Sequence, residues 1–187
     1  IFKVIPGAAK DSAPPAFVPA DVMKFQRWRV DGKKAWDTLQ KVLTDISPQA
    51  KGAISFMIGT ANEAAKEKDP DFDLNKNLFG NLGDDFISYD KAPRGTSPAE
   101  LKSPPSLFLI GSPNPDQIVG AFKYIFLLTN PQGGAPKERE FLGRKIYTAG
   151  MPGAAAFGAD APRGAGTLSY TASSGYVAIS SDASLIE

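Results

Sequence analysis

The clearest structural signal in the chain is Leu107-Phe-Leu-Ile-Gly-Ser-Pro-Asn-Pro-Asp-Gln-Ile118. Its apolar run predicts a buried strand, and the polar turn after it predicts the start of a helix. Asn114 is a favourable N-cap, Pro115 suits the first helical position, and Asp116 stabilises the positive end of the helix dipole. A looser copy of this junction occurs at Tyr176-Val-Ala-Ile-Ser-Ser-Asp-Ala-Ser-Leu-Ile186. The chain therefore contains two predicted strand-to-helix junctions.

Short strands are predicted within and before both junctions. Alternating apolar residues and flanking turn residues predict five of them, at residues 85–89, 106–110, 140–148, 168–172 and 176–180. Ser173-Ser174-Gly175 predicts a tight hairpin between the last two. The first helix is expected to run from the Asn114 cap to about Leu128, and Asp182 is expected to cap a second. The second half is thus predicted to form two strand-strand-helix units on one antiparallel sheet.

The first half of the chain predicts a strand followed by two helices. Residues 22–30 alternate in polarity as a strand does. Apolar residues then recur at helical spacing from Ala35 to Ile46, and Ser47-Pro48 ends that helix. A second helix over residues 49–66 completes an αα-hairpin. The predicted fold class is α+β, an antiparallel sheet with helices on one face and this N-terminal αα-hairpin packed beside it.

Domain organisation follows from composition. Residues 1–20 contain four prolines among small residues and predict an extended arm. Residues 21–187 predict a single α+β domain. Because the chain begins with Ile1 and stops at Glu187, just after the second helix is predicted to start, we expect it to be a fragment of a longer chain.

Composition excludes several classes of function. The chain has no Cys and no His, so disulfides, zinc sites of the usual kind and His-dependent catalysis cannot be built from it. A net charge of +1 gives no long-range attraction to nucleic acid. The longest apolar run, residues 118–128, is too short to span a bilayer. We expect no cofactor, no metal, no nucleic-acid partner and no transmembrane segment.

The densest basic patch is a candidate binding site. Arg27 and Arg29 flank Trp28 on the first predicted strand, and alternation places both guanidinium groups on one face, where they could hold phosphate or a polyanionic glycan. The alternative is structural, because arginine on an exposed strand also discourages edge pairing.

The acidic candidates are Asp84 and Asp85, which follow a glycine turn. Two carboxylates could serve a glycosidase or hold Ca²⁺, but adjacent strand residues point to opposite faces, which favours a simple turn. Residues 69–73 alternate acidic residues like a cation loop but lack the Gly and Glu of an EF-hand, which favours a solvated loop and a helix cap at Asp73. No catalytic residue is assigned.

The chain resembles a family of exported or envelope-associated bacterial proteins of unknown function, common in Planctomycetes, Verrucomicrobia and Cyanobacteria. The resemblance depends on four short motifs: Pro19-Ala-Asp21, Asn77-Leu-Phe-Gly-Asn-Leu-Gly-Asp-Asp-Phe-Ile-Ser-Tyr89, Phe141-Leu-Gly-Arg-Lys-Ile-Tyr147 and Gly175-Tyr-Val-Ala-Ile-Ser-Ser-Asp182. It implies an extracytoplasmic location, in the periplasm or cell envelope, and a repeated α+β unit. It transfers no catalytic residue.

The expected function is that of a non-enzymatic extracytoplasmic module that supports or binds another protein or an envelope polymer. Two alternatives stay open at this point: a carboxylate-dependent hydrolase of glycan or peptide, and a carrier of apolar ligands around the Phe-rich core. The sequence leaves the oligomeric state undecided.

Overall fold

The computed structural model describes residues 11–98, 101, 104–129, 134–150 and 166–187. Its regular elements, in chain order, are β1 (Lys24–Arg29), α1 (Gly32–Ile46), α2 (Pro48–Lys66), α3 (Leu74–Asn77), β2 (Asp85–Asp90), β3 (Ser106–Gly111), α4 (Pro115–Thr129), β4 (Lys137–Phe141), β5 (Arg144–Gly150), β6 (Thr167–Ser173) and β7 (Tyr176–Ser180). Single 3₁₀ turns lie at Phe79–Asn81 and Ala183–Leu185.

The strands of this part of the chain form one seven-stranded sheet in the order β1-β2-β3-β7-β6-β5-β4. Every neighbouring pair is antiparallel. The α+β fold class with an antiparallel sheet is therefore confirmed, as is the αα-hairpin of α1 and α2.

The helices begin and end where the sequence provides caps. The Asp31 side chain accepts a hydrogen bond from the Lys34 backbone at the start of α1. Ser47 closes α1 and its hydroxyl caps α2, so one residue turns the chain between the two helices. Asp73 accepts from the Lys76 backbone and starts α3, as the capping interpretation of residues 69–73 predicted.

The predicted strand over residues 140–148 is wrong, because the structure divides it into β4 and β5. Leu142 and Gly143 form the two-residue turn between them, with φ of 48° and 77°. Ser174 and Gly175 make the same kind of turn between β6 and β7, with φ of 43° and 85°. Positive φ at both positions matches the right-handed twist of the strands. In the described residues, four strands therefore follow α4 where three were predicted.

The second predicted helix does not form over the described residues. Asp182 does cap, accepting from the Ser184 backbone, but the capped element is the single 3₁₀ turn Ala183–Leu185. The second unit is thus four strands and a turn, and it does not repeat the two strands and helix of the first.

The two faces of the sheet carry separate cores. On one face the helices cover the larger core, centred on Ile118 of α4 and on Val177 and Tyr170 of the sheet. On the other, the open face, Ile87, Tyr89, Leu107, Leu109 and Ala178 form a smaller core. No helix covers this second core in the described chain; the partly buried side chains that pack against it include Val18, Val22, Leu185 and Ile186.

Candidate functional site

The structure brings three of the five candidate residues together on the open face. In the β1–β2 pair, Arg29 lies directly opposite Asp85, and Arg27 lies opposite Ile87, two residues further along β2. Because side chains two apart on a strand share a face, both arginines reach the same carboxylate. We call Arg27, Arg29, Asp85 and Tyr176 of β7 the Asp85 cluster.

Every group of the Asp85 cluster is engaged within the protein. Arg27 donates to Asp85 through Nε at 2.8 Å and Nη2 at 2.7 Å, a two-pronged pair in which the side chains are 9% and 10% exposed. Arg29 Nη1 lies 3.1 Å from Asp85 Oδ2, and the Tyr176 hydroxyl donates to that oxygen at 2.7 Å. Fork-shaped pairing of this kind is among the strongest in proteins because both bonds are charge-assisted.

Proton affinities follow from this geometry. Burial alone would raise the pKa of Asp85, but hydrogen bonds from Arg27 and Tyr176 and the charge of Arg29 hold it below its ordinary value. The hydrogen bond with Asp85 raises the pKa of Arg27. Burial, followed by the hydrogen bond to Asp85, raises the pKa of the Tyr176 phenol. Asp85 is therefore a permanent anion at neutral pH, the opposite of a general acid.

The remaining donors of the two arginines hold the segment that precedes β1. Arg27 Nη1 donates to the Ala13 carbonyl at 2.6 Å, and Arg29 donates to the Asp11 carbonyl through Nε and Nη2 at 3.2 and 3.1 Å. Phe17 packs edge-on against Tyr176 with ring centroids 5.5 Å apart. The Asp85 cluster thus fixes residues 11–18 across the open face, and its guanidinium groups are occupied by protein oxygens.

Trp28 and Asp84 lie apart from this cluster. Trp28 is on the helical face, 41% exposed, where it contacts Phe108 at a centroid distance of 6.5 Å. Asp84 precedes β2, and its carbonyl accepts from the Val30 backbone at 3.2 Å. The sheet therefore separates Trp28 from the two arginines.

A second site, which the sequence did not predict, lies in the helical layer. An apolar groove of about 420 Å³ opens between α1, α2 and α4. Apolar side chains make up most of its walls, among them Trp36, Phe56, Met57, Ile125 and Leu128. Phe56 and Met57 at its rim are 75% and 65% exposed. The signal was present in the sequence, since Phe56 lies beside the apolar stripe of α2, but spacing alone does not show which apolar side chains stay uncovered.

The outer side of α1 continues this apolar surface. Leu39, Val42 and Ile46 are 48%, 39% and 77% exposed. At 100° per residue they lie on the side of α1 next to Trp36, whose ring stacks on Phe79 at 3.7 Å. We call these three residues, with the groove and its rim, the helical apolar surface. Large exposed apolar areas of this kind mark interaction sites on soluble proteins.

Two further features bear on the class of function. Within the described ranges, no group of three or more Asp or Glu side chains could hold a metal ion. The same residues include no helix that is long and apolar enough to cross a membrane.

No family model, curated protein or solved structure shows a significant match to this chain.

Proposed function

We propose that this chain is a non-enzymatic binding module that engages a partner through its helical apolar surface. The observation that carries the proposal is the exposure of Phe56 and Met57, 75% and 65% accessible at the rim of a groove with apolar walls, together with that of Ile46, 77% accessible on the outer side of α1. Leaving such side chains in water forgoes about 1.5–3 kcal/mol each relative to burial, which a docked partner would recover. Extracytoplasmic, envelope-associated placement is part of the proposal and is supported by the family resemblance.

The state of the charged residues also favours binding over hydrolysis. A carboxylate-dependent hydrolase needs an acid with a raised pKa beside a second carboxylate. Asp85 has a lowered pKa and accepts hydrogen bonds from Arg27 and Tyr176. That environment stabilises structure and gives the carboxylate no proton to donate.

The proposal is tested by titrating the protein with an uncharged dye whose fluorescence increases in apolar surroundings. We expect saturable binding, because the groove offers a concave apolar surface. Replacing Phe56 and Met57 together by Ser should weaken binding about tenfold or more, since each loses most of its apolar contact.

The matched control is Leu142→Ser, which removes an 84%-exposed apolar side chain from the β4–β5 turn, away from the helices. Dye binding that the control weakens as much as the double variant, or that never saturates, would contradict the proposal. Export is tested separately, by fractionating cells that express the full-length protein.

A carrier of apolar ligands is the second candidate, and the groove volume of about 420 Å³ favours it specifically. Small-molecule sites span about 300–1,000 Å³ and are mostly apolar. Native mass spectrometry separates the two: a carrier retains one medium-chain fatty acid per chain at micromolar concentration, whereas a protein-docking surface retains none.

A further inference from the structure

The apolar residues on the outer side of α1 have the spacing of a helix-pairing seam. Ala35, Leu39, Val42 and Ile46 follow one another at intervals of four, three and four residues, which keeps them on one side of the helix. The last three are exposed, and Ala35 is half-buried. Trp36, on the neighbouring side, already stacks on Phe79 within the protein. One apolar side of α1 is therefore used internally, and the adjacent one is uncovered.

The residue sizes along this seam complement each other when two such helices run antiparallel. In that orientation the first residue of the seam faces the last, so Ala35 lies opposite Ile46 of the other helix and Leu39 lies opposite Val42. Alanine then faces isoleucine and valine faces leucine. Because each smaller side chain faces a larger one, the space between the helices is filled evenly. A parallel arrangement would place Ala35 opposite Ala35 and leave a gap at that end.

The charges beside the seam select the same orientation. Lys34 and Asp45 lie eleven residues apart in α1, three helical turns and about 20° around its axis, so they lie at opposite ends of one flank of the helix, about 90–110° from the middle of the seam. Both residues are exposed. Lys34 pairs with Asp31 in its own turn at 2.8 Å, and Asp45 has no ion-pair partner in the part of the chain that the structure describes. Antiparallel pairing brings each Lys34 toward the other helix's Asp45, whereas parallel pairing places the two copies of this flank on opposite sides of the interface, where Lys34 and Asp45 do not meet.

We infer that the partner of the helical apolar surface is a second copy of this chain, with the two α1 helices packed antiparallel about a two-fold axis. The inference depends on the proposed function, because it names the occupant of that surface. A two-fold contact requires a patch that complements itself, and the seam does so in both size and charge. A flat anionic membrane is a poorer match, because Asp37 and Asp45 lie among the lysines of the exposed side of α1.

Sedimentation equilibrium from about 1 to 500 µM tests the pairing. We expect the wild-type chain to change from mostly monomer to mostly dimer within this concentration range, because a small interface gives weak association. Ile46→Glu should weaken the dimer about a hundredfold, because each dimer loses two buried apolar side chains. Leu142→Glu, which adds the same charge at an exposed apolar position outside the seam, should leave dimerisation unchanged. Circular dichroism confirms that both variants fold.

Charge reversal tests the orientation. Lys34→Glu and Asp45→Lys should each weaken the homodimer several-fold, because each opposes like charges across the seam. An equimolar mixture of the two variants should form a heterodimer at least as tight as the wild-type dimer, measured by native mass spectrometry. Lys34→Glu keeps the backbone bond to the Asp31 cap but replaces the Lys34–Asp31 ion pair by two like charges, so circular dichroism is used to check that this variant folds.

Three outcomes would overturn the inference: a wild-type monomer at every concentration, an Ile46→Glu dimer as tight as the wild type, or a mixture of the charge variants no tighter than either alone. If the wild-type monomer still binds the apolar dye, the second copy is excluded while the binding module stands with another occupant, such as an amphipathic helix. If it neither dimerises nor binds dye, the proposed function fails as well.

Discussion

On the open face of the sheet, Asp85 accepts hydrogen bonds from two elements and forms ion pairs with two arginines, whereas in the helical layer Phe56 and Ile46 leave about three quarters of their surface in water. The charged residues, which in a sequence suggest chemistry, are paired internally. Several apolar residues, which in a sequence suggest a core, are exposed to solvent. In this chain the candidate function therefore lies with the apolar side chains that the fold leaves uncovered.

The largest effect is expected from Asp85→Ala. It leaves the Arg27 and Arg29 guanidiniums partly buried without their carboxylate, and breaking a buried pair in this way destabilises a protein by about 3–5 kcal/mol. The measurement is the free energy of unfolding from urea titration. Asp37→Ala, on the exposed side of α1, is the control and should change it by less than about 0.5 kcal/mol. If Asp85→Ala lowers the free energy of unfolding by less than about 1 kcal/mol, the Asp85 cluster does not stabilise the fold as we describe.

Acid should lower the contribution that the Asp85 cluster makes to the free energy of unfolding. The pKa of Asp85 is lower in the folded protein than its ordinary value near 3.8, so its contribution to stability is fully present above that value. The contribution disappears as pH falls through the lower folded pKa, because protonation removes the charge that Arg27 and Arg29 neutralise. We expect the unfolding free energies of the wild type and Asp85→Asn to converge as pH falls from about 6 to 2. A difference that stays constant over this range would contradict the cause we assign.

The smallest effect is expected in the helical layer. Phe56→Ser removes a side chain that is 75% exposed, so the free energy of unfolding measured on dilute monomer should change by less than about 0.5 kcal/mol. Phe72→Ala is the matched contrast, because Phe72 is 2% exposed and its removal should destabilise by about 3–5 kcal/mol. If Phe56→Ser were as damaging as Phe72→Ala, the groove would belong to the core and would not be a site.

Local patterns were sufficient for the elements that depend on neighbouring residues. Asn114-Pro115-Asp116 predicted the start of α4, and Ser47 predicted the boundary between α1 and α2, because caps act within one turn. The Ser174-Gly175 turn was predicted for the same reason. The equivalent turn at Leu142-Gly143 was missed, because leucine seldom adopts positive φ and so gives no turn signal.

The site required information that is not local. Alternation along β1 correctly put Arg27 and Arg29 on one face, but their partner Asp85 lies 58 residues beyond Arg27. Strand register between such distant segments is set by the whole sheet, so the arginines looked free in the sequence. The helical apolar surface was missed for a related reason: periodicity shows that Leu39 and Ile46 share a side of α1, and only packing shows that both side chains stay exposed.

The strand order has a consequence for how the chain is made. The fourth and central position of the sheet belongs to β7, the last strand of the described chain, which pairs with β3 on one side and β6 on the other. Until β7 has left the ribosome, β1–β3 and β4–β6 remain two separate ribbons, each with an open inner edge. Unpaired edges of this kind recruit strands from other chains. Synthesis that stalls before Tyr176 should therefore yield aggregates, because β7 joins the two ribbons into one sheet.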